Sequence, residues 1–169
     1  MKRLFYILLF FSATSLAQEL PESNLPETSN AFVGEFIESA KEHNLFLQPH
    51  LEHHLKGVYF LPKHEFKRFT GVTNDGRAGC LVPYHNYLMN RLEMMAIIDS
   101  NYLNKGNDAK AFLWHELGHF FGLDHDDSTP GIMNSSINGN ILTEQNIELF
   151  FRKLKRIPPS KYRATINLN

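Results

Sequence analysis

What this sequence has least of is cysteine. Cys80 stands alone among 169 residues, so no disulfide can form within the chain, and stability must come from packing and bound groups. Charge of one sign is also scarce, because 17 Lys and Arg against 18 Asp and Glu leave a net charge of −1. No basic excess marks a nucleic-acid-binding protein, and nucleic acid is not expected as a partner. Long apolar runs are missing as well. The most apolar stretch, residues 4–11, is too short for a bilayer-spanning helix of roughly 20 residues. The overall hydrophobic content of 43% is still enough for one packed domain.

That short run has instead the layout of an export signal. Lys2 and Arg3 precede it, and Ser15-Leu16-Ala17 follow with the small residues that signal peptidase reads. Residues 1–17 are expected to be removed, leaving 15 basic against 18 acidic residues in the remainder. No cysteine stands at the cleavage point, so no lipid anchor is expected. The remainder is expected to be secreted or periplasmic, monomeric and not inserted in a membrane. Residues 18–29 carry two prolines and three glutamates without apolar periodicity, as a flexible leader or short pro-segment would. Glu22 or Glu27 there could occlude a metal site, although a plain linker explains the same composition. A single folded domain is expected over 30–169.

Within it, Phe32, Val33, Phe36, Ile37 and Ala40 fall at helical spacing and predict an amphipathic helix over 30–44. Residues 57–61 read as a strand closed by Pro62, and 80–84 as a second, short strand. The segment 66–79 is ambiguous, with Asn74-Asp75-Gly76 and Gly79 marking a turn. Met94-Met95-Ala96-Ile97-Ile98 is a continuous apolar run suited to an interior strand over 93–99. Asn107 or Asp108 is expected to cap a helix running to about Phe121. Thr143-Glu144 opens a last helix, stopped by Pro158-Pro159, whose Ile147, Phe150, Phe151 and Leu154 repeat at helical intervals. The basic residues Arg152, Lys153, Lys155 and Arg156 could form a membrane or polyanion patch, but they suit its solvated C-terminal end better.

The chemistry is concentrated in residues 115–125, which read H-E-x-x-H-x-x-G-x-x-H. His115 and His119 lie one helical turn apart, about 6 Å along the axis and on one face. Two imidazoles so placed can share one tetrahedral zinc ion. His125 would point elsewhere if the helix continued, but Gly122 can take the left-handed conformation that ends it and bring His125 back as a third ligand. Three protein ligands leave a fourth position for water, the arrangement of a catalytic zinc. Glu116, beside the first ligand, is placed to accept a proton from that water.

This pattern resembles the metzincin clan of zinc endopeptidases, in the layout of its small secreted bacterial matrixin-like members, over roughly positions 94–152. The resemblance implies an α+β zincin domain with a mixed twisted sheet, an active-site helix, a Met-turn and a C-terminal helix. It makes Met133, in Pro130-Gly131-Ile132-Met133-Asn134, the methionine beneath the metal. It also implies that the 80–84 strand forms the cleft rim that pairs with an extended substrate, so that proline at Val82 should raise KM for long peptides. Some branches place a tyrosine two residues after the methionine, where this chain has Ser135; no tyrosine-assisted step carries over. The activity implied is zinc-dependent endoproteolysis of protein or peptide substrates. The alternatives are a non-catalytic zinc-binding interaction module, or a hydrolase restricted to a dedicated cell-wall or partner substrate.

Other polar groups have plainer readings. Cys80 suits a small buried hydrophobe better than a latency switch on zinc. His50, Glu52, His53 and His54 are dense, and His50 and His54 have helical ligand spacing, but the histidine and aspartate pattern of a structural zinc is not present; one catalytic zinc is expected. Asp126 and Asp127 either orient the turn after His125 or are solvated loop acids. Asn74-Asp75-Gly76 lacks the carboxylates of a calcium loop. Residues 137–142 are expected to wall the specificity pocket.

Overall fold

Strand β3 (Arg91–Asp99) is the middle of a three-stranded sheet, and its sequence explains why. Its five consecutive apolar residues from Met94 to Ile98 are buried on both faces, which only a central strand allows. Strand β1 (Leu55–Leu61) pairs with it in parallel, with Val58 opposite Ala96 and Phe60 opposite Ile98. Strand β2 (Gly79–Asn86) pairs with its other side antiparallel, with Cys80 opposite Ile97 and Val82 opposite Met95. The computed structural model describes residues 27–70 and 78–163, and over these the chain is α+β with a small mixed sheet.

The period-two alternation of β3 divides the core. Met94, Ala96 and Ile98 face the larger cluster, with Val58, Phe60 and the helices. Met95 and Ile97 face a smaller one with Tyr59, Leu61, Phe66, Phe69, Cys80 and Val82. Helix α1 (Glu27–Glu42) docks on α4 (Asn107–Phe120) through aromatic contacts. Phe36 meets Trp114 edge-on at 5.5 Å and stacks on Phe121 at 6.0 Å. The Trp114 indole N–H donates to the Phe32 carbonyl at 3.2 Å, so a large apolar side chain is buried without orphaning its polar atom. Helix α5 (Glu144–Leu154) closes the cluster with Phe150, Phe151 and Leu154. Thr143 caps it as expected, its hydroxyl accepting from Asn146 N at 3.3 Å.

Four expectations change. Helix α1 begins at Glu27, inside the segment read as a leader. Two short helices were not legible, α2 (Gln48–His54) and α3 (Lys63–Thr70). Neither Asn107 nor Asp108 caps α4; its cap is Gly106, at φ +43 with no side-chain bond. The Asp108 carboxylate instead accepts from the backbone N–H of Gly139 and fixes the loop after the Met133 turn. Finally, β2 and β3 continue past the expected ends into a hairpin whose tip exposes Tyr87, Leu88 and Met89.

The proposed export signal at 1–17, Glu22 and Asn74-Asp75-Gly76 lie outside the described residues. Among those described, no helix is long and apolar enough to cross a membrane. Arg152, Lys155 and Arg156 are exposed at the end of α5, whereas Lys153 pairs with Asp126.

Candidate metal centre

Helix α4 delivers His115 and His119 one turn apart, then ends where the sequence requires. Gly122 takes φ +88. Leu123 N donates to Gly118 O at 2.9 Å and Gly122 N to His119 O at 3.0 Å. These two bonds are the Schellman pattern of a glycine-terminated helix. The turn carries the chain back so that the Nε2 atoms of His115, His119 and His125 lie 3.1 Å from one another in all three pairs. Among the described residues, these three form the group able to hold a metal ion.

The triangle fits zinc. Its corners lie about 1.8 Å from its centre, close enough for all three nitrogens to reach one ion at the usual zinc–imidazole distance of about 2.0–2.1 Å. The tautomers suit as well. The Nδ1–H of His115 donates to Ile132 O at 2.7 Å, and that of His119 to Leu123 O at 2.7 Å. Both carbonyls thereby fix the ring protons on Nδ1 and leave the Nε2 lone pairs facing inward. Burial lowers the pKa of His115 to about 4, outweighing the Ile132 carbonyl and helped by the other two imidazoles. Burial likewise depresses His119. Neutral imidazole is the ligating form.

The loop bearing His125 is fastened to the turn carrying Met133. Asp126 N donates to Met133 O at 2.9 Å, and Asn134 Nδ2 to Asp126 O at 2.9 Å. Asp127 accepts from Ser135 N at 2.7 Å and from Ser135 Oγ at 2.9 Å. The Asp126 carboxylate accepts from Lys153 of α5. Both aspartates therefore order the turn. The bond from Lys153, followed by those from Ser128, brings Asp126 down to about pKa 2, and the Ser135 bonds depress Asp127.

Glu116 is 6% exposed and lines a cavity of about 720 Å³ with His115, His119 and His125. The first residues of β2 form part of the same wall, with Tyr102, Phe112, Ser135, Ser136, Ile137 and Arg163. Of the expected pocket loop 137–142, Ile137 lines the cavity, while Ile141 and Leu142 pack on the main core.

Three glycines make this assembly possible, and sequence reasoning identified only Gly122. A β-carbon on Gly118 would collide with the Met133 sulfur and come 2.9 Å from Phe150 Cε2. One on Gly79 would lie 2.9 Å from Glu116 Oε1 and 3.0 Å from Ile98 Cδ1. In sequence, Gly118 occupies a variable motif position and Gly79 reads as turn punctuation, so neither signals its role.

The histidines of α2 are arranged differently. The rings of His50 and His54 are 4.6 Å apart, but His54 Nδ1 lies 3.3 Å from Leu92 O, Glu52 accepts from Gln48, and His50 packs on Phe120, Phe121 and Tyr162. Cys80 is buried in the smaller cluster. Comparison of the chain with protein-family models, curated proteins and solved structures finds no match.

Proposed function

We propose that the protein is a zinc-dependent endopeptidase of metzincin type, exported by the signal at its N-terminus. The observation that carries this reading is the triangle of three Nε2 atoms, 3.1 Å on each side, opening on the same cavity as the buried carboxylate of Glu116. A structural site needs no carboxylate beside its ligands; a hydrolytic one needs a base.

His115, His119 and His125 hold the ion, with Ile132 and Leu123 orienting the first two. Zinc, when bound, supplies Lewis acidity that polarises a peptide carbonyl and acidifies a water molecule. Glu116 accepts the proton of the attacking water and returns it to the departing amine. The missing β-carbon at Gly79 leaves room for the Glu116 carboxylate. Strand β2 offers the substrate its free edge, as an extended peptide adding one strand would use. Met133, against Gly118, is the floor of the centre.

The test is cleavage of an unfolded protein by the chain from Gln18 onward, zinc-loaded, beside Glu116→Ala. The expected outcome is turnover by the native form and at least a hundredfold loss in the variant, with one zinc ion bound to each. Equal cleavage by both forms, or zinc bound without any cleavage, would reject the assignment.

A further inference from the structure

Arg163 is the one arginine or lysine lining the cavity among the described residues, and the proposed chemistry leaves it without a task. Its position is built by the segment after α5. Tyr162 is buried, with its ring 5.0 Å from Phe121 and 4.8 Å from His50. The backbone of Lys161 packs so closely on Gly122 that a β-carbon there would lie 2.8 Å from Lys161 O. Two anchors, both on the turn that ends the ligand helix, thus set Arg163 at the cavity. It lies near enough to His119 to add its charge to the burial that depresses that imidazole.

No hydrogen bond or salt bridge engages the Arg163 side chain among the described residues, although Asp124 lines the same cavity. Arginines with a structural task on this molecule look different: Arg91 holds Glu93 at 2.7 Å. A guanidinium carries five donors in a planar fork suited to a carboxylate, and it remains charged at any pH the protein meets. Because the cavity takes in solvent, Arg163 waits there hydrated, and a substrate carboxylate would exchange water for two parallel charged hydrogen bonds.

We propose that Arg163 is a specificity-determining residue, binding a carboxylate of the peptide whose backbone occupies the cavity. That carboxylate is an acidic side chain near the scissile bond or a free C-terminus a short distance beyond it. The inference rests on the peptidase reading for its substrate class, but on Arg163 itself for the anion.

The experiment compares fluorogenic peptides that carry glutamate or glutamine on each side of the scissile bond, and otherwise identical peptides ending in a free acid or an amide. Wild type, Arg163→Gln and Arg163→Lys are assayed at low and high salt. The expected result is a preference of roughly tenfold to a hundredfold for one carboxylate-bearing peptide, expressed in KM and reduced by salt. It falls to about one in Arg163→Gln and is partly kept in Arg163→Lys, whose point charge lacks the fork. The favoured peptide identifies side chain or terminus as the source. Absence of any carboxylate preference in wild type, or an equal preference in Arg163→Gln, overturns the proposal.

Should no peptide be cleaved, titration calorimetry with acetylated dipeptides and their amides decides the matter separately. It is run on zinc-loaded and zinc-free protein, since a carboxylate can also bind the metal. Binding that needs both the carboxylate and Arg163, with or without zinc, upholds the anion site while the peptidase reading fails. Binding indifferent to Arg163→Gln rejects the anion site.

Discussion

Met133 sets its sulfur against Gly118, in the volume a β-carbon would occupy. The contact joins the helix that carries His115 and His119 to the turn whose Ile132 carbonyl orients His115. A glycine in a helix interior sacrifices about 1 kcal/mol relative to alanine; here that loss permits the helix and the turn to touch.

Gly118→Ala is therefore expected to destabilise the protein rather than improve its helix. Overpacking of this kind costs about 1–3 kcal/mol, and the displaced turn should weaken zinc binding about tenfold. Gly118→Ala/Met133→Ala should recover part of the loss, since the shorter side chain vacates the space. Thermal unfolding and zinc titration of the four proteins give the coupling; strict additivity would show that the contact is not the cause.

Gly122→Ala meets two obstacles, a left-handed φ of +88 and the Lys161 carbonyl. A strained backbone of this type costs about 1–3 kcal/mol, and the distortion falls between His119 and His125. Zinc affinity should drop more than in any substitution at Asp124, which is exposed. Zinc titration of both variants checks the order.

Stability should fall as pH drops below neutrality, and His50 is one identifiable source. Its Nε2 is buried with no hydrogen-bond partner among the described residues. Burial, then the neighbouring His54 and His53, lower its pKa from 6.5 to about 4. Between those values the unfolded chain binds more protons than the folded one, so stability rises with pH across that window and is fully present above it. His50→Leu should flatten the decline of Tm from pH 6.5 to pH 4, measured on the zinc-loaded protein. An unchanged slope would remove His50 from the account.

Among the described residues no strand pairs with the outer edge of β2, which is presented by its odd-numbered residues. Asp99 N donates to Ala78 O at 2.8 Å, so even positions turn their backbone groups toward β3, and odd positions turn theirs outward by alternation. Pro83 fits this, because its missing N–H then costs the sheet nothing. The residue to test is thus Leu81, and a proline at Val82 would attack the sheet instead. Leu81→Pro should raise KM severalfold for long peptides while Tm stays nearly constant; Val82→Pro should lower Tm. Unchanged KM in Leu81→Pro would show that substrates do not pair with this edge.

The grouping of His115, His119 and His125 was legible because its information is local: two histidines one turn apart, a third histidine and the glycine that ends the helix all lie within eleven residues. Strand β3 was legible for the same reason, since five consecutive apolar residues leave few other places for it. Helix α2 was not, because Leu51 is its only aliphatic side chain and seven residues give too few turns for a periodic signal. Gly79, Gly118 and Arg163 were invisible for another reason. Gly79 and Gly118 meet Glu116 and Met133, and Arg163 is set at the cavity by the packing of Lys161 on Gly122 and of Tyr162 on Phe121; no local pattern records such meetings.

The bonds that fasten residues 126–127 to the Met133 turn and to α5 bear on how the centre would handle a metal ion. Ordering backbone costs about 1–2 kcal/mol per residue, and in this loop the cost is met when the chain folds, through Asp126, Asp127, Asn134 and Lys153. On the proposed reading, a metal ion would then enter a finished cup. Chelation should leave an intact shell, and one divalent ion should replace another by simple exchange, without the polypeptide passing through an unfolded state.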